Sequence, residues 1–233
     1  MDADVHRAIA MSHLRELPPA VLADLVVGAV RAKIPAGAVT HREGEDAPHL
    51  ELVVSGVVRV FVTAPDGRTM TIRYCRSGAL IGVMSLFAAA FTLPATIQAL
   101  VDADVLRLSP HAARTATERD VRVARAFLAE QSERALNFVD EISGGAFATM
   151  RQRVARHLLD LASERATACA RGQELAAPVT QRELADAVGT VREVVVRVLR
   201  ELRNDGLVRT ERDRIVLVDP EHLTHELGWN RRS

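Results

Sequence analysis

Residues 179–208, VTQRELADAVGTVREVVVRVLRELRNDGLV, decide the fold. Val195, Val198, Leu199 and Leu202 recur at the i, i+3, i+4, i+7 spacing of one buried helical stripe, which leaves Arg192, Glu193, Val196, Arg197 and Arg200 on the opposite face. Just upstream, Leu184, Ala185 and Val188 form the inner face of a shorter helix, with Ala185 small where two helices must approach and Gly189 supplying the turn between them. Thr180 with Glu183, and Thr190 with Glu193, are two capping-box signatures, and they predict both helix starts. A helix–turn–helix whose exposed face carries guanidinium and carboxylate groups has the residue types that read base edges and phosphates. We expect this stretch to enter a DNA groove.

Outward from there, Leu207-Val208 and residues 215–218 bracket the polar run Glu211-Arg212-Asp213-Arg214, the pattern of a wing hairpin. His222 and His225 beyond it read as a helix surface rather than a metal pair. On the other side, FATMRQRVARHLLDLASERA (147–166) buries Phe147, Val154, Leu158, Leu159 and Leu161 as a helix, and TACARGQELAAP (167–178) reads as a loop. Gly144-Gly145 predicts an interruption and a hinge, since each glycine costs roughly 1 kcal/mol against Ala in a helix interior. Before the glycines, residues 112–143 form a long helical pattern with Val121, Ala124, Leu128, Ala135, Phe138 and Ile142 close to a 3.5-residue repeat. That period suits a helix paired with a copy of itself, and two half-site readers require such a pairing.

Residues 34–108 have a different texture. Short β-branched runs (LELVVSGVVRVFVT, MTIRYC, VLRLS) are separated by Gly44, Gly56, Asp66-Gly67 and Gly78, which argues for a small antiparallel barrel or sandwich. Residues 12–33 carry a helical pattern with a turn at Pro18-Pro19.

At 233 residues and 48% hydrophobic content, the chain has room for two ordinary domains. No charge-free apolar run reaches a membrane span, and the start MDADVHRAIA lacks the features of a signal peptide, so a cytoplasmic location without membrane partners is expected. Two cysteines, Cys75 and Cys169, support neither a disulfide framework nor an iron–sulfur cluster. Net charge is zero, but residues 146–218 carry 13 Arg against 10 acidic residues. Lys33 is the sole lysine, a bias that fits genomic base composition. No Gly-x-Ser-x-Gly, His-Glu-x-x-His or phosphate-loop motif argues for an enzyme, and 3% aromatic content leaves little stacking surface for RNA.

The run EGEDAPHLELVVSGVVRVFVTAPDGRTMTIRYCRSGALIGVMSLF (43–87) resembles the effector β-roll of the cyclic-AMP receptor protein and FNR (CRP/FNR) group of bacterial regulators, with Gly44, Gly56, Gly67, Gly78 and Gly82 where that roll turns. The resemblance extends through the long helix to the reader. It implies an α+β protein: a cyclic-nucleotide-binding-like β-roll with N-terminal helices (1–111), a dimerisation helix and hinge (112–145) and a winged helix-turn-helix (146–233). It also implies a homodimeric transcription regulator on double-stranded DNA, with RNA polymerase as a partner. The family's G-x-x-R-E-x-x-x-R pattern stands intact as Gly189, Arg192, Glu193 and Arg197. By resemblance these residues read a TGTGA-like half-site, Arg192 and Arg197 on guanine and Glu193 on a cytosine amine. Val196 would meet a thymine methyl, and Thr180, Arg182, Thr190 and Arg200 would contact phosphates. Glu193 would then be asked both to cap its helix and to read bases.

The effector pocket departs from the family. Gly82 remains, but Val83 stands where the family has Glu, Leu93-Pro94 where it has Arg-Ser, and Phe138-Val139 where two hydroxyl residues meet the nucleotide base. A cyclic phosphate buried there would lose its guanidinium partner, so a cyclic-AMP response in the family's usual mode is not expected. With Met84 and Leu86 nearby the site reads as uniformly apolar, which leaves three alternatives open. They are a pocket for an apolar or aromatic ligand, a filled core in a constitutively active protein, or a haem sensor using one of His41, His49 and His111. No metal site and no cofactor other than haem is expected. A rival function is a small-molecule or haem-binding module whose DNA reader is vestigial.

Overall fold

The computed structural model describes residues 2–46, 49–88, 92–168 and 175–227, and the side chains of these except 140–147 and 163–168. The chain divides into two compact units, Met1–Val62 with Ile72–Val139, and Thr63–Thr71 with Asp140–Ser233.

The first unit opens with α1 (Ala3–Ala10), a 3-10 turn (His13–Glu16) and α2 (Pro19–Leu25). The helical reading of 12–33 therefore needs correcting at both ends: α1 lies before it, and its last residues belong to β1 (Val30–Ile34). Asp2 caps α1 by accepting from the Val5 amide, a short-range signal that hydrophobic periodicity alone does not show.

The roll follows as β2 (Val39–His41), β3 (Leu50–Ser55), β4 (Val58–Thr63), β5 (Thr69–Cys75), β6 (Leu80–Ile81), β7 (Thr96–Ala99) and β8 (Ala103–Leu108). These strands form two four-stranded sheets ordered β1-β8-β3-β6 and β2-β7-β4-β5, with antiparallel pairings. Strand β3 lies at the centre of the layering, and it is buried from Leu50 to Val54 because both its faces are covered. Leu50, Leu52 and Val54 pack with Leu14, Leu25 and Phe127 in a core shared with the helices. Val53 faces the roll interior with Val58, Ile97 and Val105. Glu51 shares that inner face and is 1% exposed, its Oε1 accepting from Arg107 Nε at 3.0 Å. The acid in the middle of an apolar run is thus a paired core residue.

His41 is buried beside this pair, and desolvation holds its pKa below the usual value against the pull of Glu51. An imidazole held neutral by the fold stabilises above its unfolded pKa of about 6.5 and loses that contribution as pH falls through its lowered folded value, because the unfolded chain takes up the proton. The melting temperature of the native protein is expected to fall more between pH 7.5 and pH 5.5 than that of His41→Gln. Parallel pH profiles would contradict the assignment.

Beyond the roll, α3 (Pro110–Arg119) and α4 (Val121–Phe147) replace the single helix expected from residue 112. Asp120 breaks them apart with an extended backbone, and its carboxylate accepts from the Arg122 amide and guanidinium. The interruption expected at Gly144-Gly145 is absent: α4 runs through both glycines to Phe147. The break falls at Ala148-Thr149, where Thr149 and Gln152 exchange capping hydrogen bonds at the start of α5 (Met150–Ala168). Helix propensity is a weak prior, and a reciprocal cap that starts a new helix overrides it.

The second unit continues with β9 (Ala176–Ala177), α6 (Gln181–Val188), α7 (Arg192–Asn204), β10 (Val208–Thr210), β11 (Ile215–Leu217) and α8 (Pro220–His225). The sheet order is β10-β11-β9, so the expected wing hairpin gains a third strand from what reads in sequence as loop. Arg151 of α5 reaches Glu226 at 2.8 Å and Asp205, the C-cap of α7, at 2.7 Å. These bonds raise the guanidinium pKa and lower that of Glu226. One side chain thereby ties three helical segments of this unit.

Candidate functional site

The reader is held by its buried side. Val195, Val198, Leu199 and Leu202 of α7 are all buried, each burial worth about 1.5–3 kcal/mol, and Leu184, Ala185 and Val188 of α6 are buried with them. Gly189 closes α6 in the left-handed region at φ 71°, which only glycine adopts at little cost. The first capping box is fully formed: Thr180 N donates to Glu183 Oε2 at 2.8 Å and Glu183 N to Thr180 Oγ1 at 3.2 Å.

The second capping box is not formed. Helix α7 starts at Arg192 with Val191 as its N-cap and no side-chain cap bond. Glu193 therefore sits at the second helical position, one short of where a box needs it, and the Thr190 amide is instead used on Ala185 O at 3.0 Å. This removes the conflict over Glu193, which stands exposed with Arg192, Arg197 and Arg200 while Val196 is half-buried. Among the expected phosphate contacts, Arg182 is exposed and Thr180 and Thr190 are half-buried. The Arg and Glu side chains of this face thus stand away from the core on one helix.

A pocket lies in the first unit between strands and α4. Gly82, Val83, Met84, Leu93, Pro94 and Phe138 line it, with Gly82 at φ 95° turning β6 into a short 3-10 segment. Leu86 and Val139 do not line it. Leu86 is fully buried in the helix-facing core, and Val139 is 60% exposed on the far side of α4. The strand walls add apolar side chains, among them Ile72, Cys75 and Ile97, and burial pushes the Cys75 thiol pKa up.

The expectation of a uniformly apolar pocket is corrected by a polar wall of Arg73, Glu130, Gln131 and Arg134. Arg73 and Glu130 approach to 3.4 Å, and the Arg134 guanidinium lies 4.9 Å from the centre of the Phe138 ring. Glu130, Arg134 and Phe138 are four residues apart along α4, so the helical spacing alone places them on one face; that signal was present in the sequence.

The opposite face of α4 carries the self-pairing candidates. Val121, Leu128 and Ala135, seven residues apart, are exposed, as are Leu136 and Val139. Ala124 is half-buried, and the side chain of Ile142 lies outside the described residues. Phe138 thus belongs to the pocket, and Leu136 and Val139 replace it on the stripe. Of the histidines near the roll, His41 is buried, His49 half-buried and His111 exposed, and no group of metal-ligating side chains occurs among the described residues.

Comparison with known proteins adds independent findings. A cyclic nucleotide-binding domain model matches residues 31–120, and a Crp-like helix-turn-helix domain model matches residues 152–226. The chain is 36% identical over 185 residues to the transcriptional regulator LdrP of Thermus thermophilus, covering 79% of this chain and 90% of that one. It is 28% identical over 171 residues to Vfr of Pseudomonas aeruginosa, a cAMP-activated global transcriptional regulator, covering 72% and 79%. The solved structure of the c-di-GMP-responsive global regulator CLP of Xanthomonas campestris matches with a TM-score of 0.75 at 27% identity, over 87% of this chain and 100% of that one. No described helix is long and apolar enough to cross a membrane.

Proposed function

The chain belongs to the CRP/FNR family of transcriptional regulators, and from that premise we propose that it binds a pseudo-palindromic, TGTGA-like operator as a homodimer and answers to something other than cyclic AMP. The observation that carries the first part is the division of α7. Its apolar stripe is wholly buried, and Arg192, Glu193 and Arg197 stand exposed with Glu193 free of capping duty. A guanidinium fork matches guanine N7 and O6, a carboxylate accepts from cytosine N4, and the intervening Val196 offers a methyl contact. Two such helices, one per protomer, would meet half-sites about 34 Å apart. The regulator would work in the cytoplasm with RNA polymerase as its partner.

The pairing surface is the outer face of α4. Leu128 is 66% exposed and Leu136 70%, and apolar side chains in such a row on a helix mark an interaction surface. Leu128→Glu, which disturbs no buried contact within the protomer, is expected to convert a species of twice the 25.4 kDa chain mass into one of the chain mass in light scattering. A variant that keeps the doubled mass would rule out this face.

The altered input rests on the pocket. Val83, Leu93 and Pro94 line it, and by the family resemblance they stand where the cyclic nucleotide's ribose and phosphate are held, with side chains that bring no hydrogen-bond partner for either. Fluorescence anisotropy of a labelled TGTGA-type palindrome tests both parts of the proposal together. Specific, salt-dependent binding by the purified chain is expected, whereas equal affinity for a scrambled duplex would favour a vestigial reader.

A further inference from the structure

We propose that Glu211, in the wing hairpin, limits the sequence-independent grip of this unit on DNA by holding the side chains of Arg209 and Arg214 against one carboxylate. The inference rests on the reading of α6 and α7 as a DNA-binding pair, and it concerns a charged part of the second unit that this reading leaves without a role.

Three observations carry it. The first is where the register puts the hairpin tip. Thr210 pairs with Ile215 and Ile215 with Ala177, so the closed end of the β10–β11 hairpin lies beside the end of β9. From Ala177 the chain passes through Pro178 and Val179 to Thr180, the N-cap of α6, a span of at most about 11 Å. The tip therefore stands at the same end of the unit as Thr180 and Arg182, the side chains expected to meet phosphates.

The second is the composition of the tip. Arg209, Arg212 and Arg214 are all exposed there, while Val208, Ile215, Val216 and Leu217 supply the buried side of the hairpin. Exposed guanidinium groups that pack against nothing in the core fit a phosphate backbone, which they bind through charge and fork geometry whatever the base sequence.

The third is what Glu211 does to that cluster. Its Oε2 accepts from Arg214 Nε at 2.6 Å and its Oε1 from Arg209 Nη2 at 3.1 Å, so both carboxylate oxygens are engaged. The bonds from Arg214 and Arg209 hold the carboxyl below its ordinary pKa, so it is ionised at neutral pH. A donor occupied by Glu211 is withheld from phosphate, and the carboxylate itself repels the backbone. A scaffolding role for the carboxylate is the competing reading. The tip, however, is closed by the Glu211 amide donating to the Arg214 carbonyl oxygen at 2.9 Å and by the strand register, neither of which needs the side chain. Exposed ion pairs of this kind contribute little to stability, so the effect of Glu211 falls on binding.

Fluorescence anisotropy of the full chain with a TGTGA-type palindrome and with a scrambled duplex, each over a range of salt concentrations, tests the assignment. Glu211→Gln, with a melting temperature within about 2 °C of native, is expected to bind both duplexes about three- to tenfold more tightly at low salt. The slope of log affinity against log salt is expected to steepen by about one per protomer. In an Arg209→Gln/Arg214→Gln background the same change is expected to alter affinity by no more than about twofold. Unchanged affinity and slope in Glu211→Gln would overturn the proposal, as would weaker binding, which would make the carboxylate a scaffold of the wing. A gain confined to the palindrome, or one undiminished in the background without the two arginines, would overturn it too. Binding to neither duplex by native chain and variant alike would overturn the DNA-binding reading together with it.

Discussion

Arg197→Ala is expected to lower the affinity of the full chain for a TGTGA-type palindrome by about 5- to 150-fold per reader, the about 1–3 kcal/mol of a bidentate guanine contact. The change removes no packing, because Arg197 is exposed while its neighbour Val198 is buried, so melting temperature should stay within about 2 °C of the native value. Arg192→Ala should behave alike. The informative comparison is with Arg200→Ala, also exposed but two turns from the start of α7. A phosphate contact there would weaken operator and scrambled duplex to the same degree and reduce the salt slope by about one, whereas the Arg192 and Arg197 losses should be confined to the operator. If Arg197→Ala lowers affinity for both duplexes equally, the base-reading role is wrong and the helix face is merely cationic.

The second large effect is expected in the roll. Gly56 joins β3 to β4 at φ 82°, and a Cβ built there meets the Ala103 Cα at 2.7 Å and the Asp102 carbonyl oxygen still closer. Those atoms belong to the backbone that leads into β8, which pairs with β3, so they cannot swing aside as a flexible side chain would. Gly56→Ala would thus combine about 1–2 kcal/mol for a left-handed non-glycine residue with about 1–3 kcal/mol for overpacking. A total near 3 kcal/mol lowers the melting temperature by roughly 10 °C for a unit of this size. Gly67→Ala is the control: it shares a positive φ of 83° but has nothing near its Cβ, so it should incur only the smaller conformational cost. Equal losses in the two variants would show that the close approach at Gly56 relaxes freely.

Much of this architecture was legible because it is written in local periodicity. The stripe of α7 and the inner face of α6 follow from helical spacing, and the wing hairpin from two β-branched runs around a polar turn. The misreadings share a cause, which is competition between signals. Thr190-x-x-Glu193 has the letters of a capping box, yet the turn spends the Thr190 amide on Ala185 and the helix begins with Val191 as its cap. Gly144-Gly145 lowers helix propensity, but the reciprocal Thr149–Gln152 cap that begins just beyond them decides where the chain turns.

Phe138 and Val139 show how a single helical step matters. Adjacent residues on a helix point about 100° apart, so one lines the pocket and the other joins the exposed stripe. The meeting of Arg73 with the polar side chains of α4 was hidden for a different reason. Arg73 lies on β5 and Glu130 on α4, and only the fold brings them to 3.4 Å; no local pattern joins residues so far apart in sequence. The apolar side chains at Val83, Leu93 and Pro94 were noticed through the resemblance to the family, and they describe just one side of the pocket.

The proposed function joins an exposed, arginine-bearing face of α7 to a roll pocket lined by apolar side chains and one polar wall. The direct measurement is operator affinity of the purified native chain, by anisotropy at fixed salt, with and without millimolar cyclic AMP. Specific binding to the TGTGA-type palindrome that is indifferent to cyclic AMP is the expected result. Specific binding that appears only when cyclic AMP is added would contradict it.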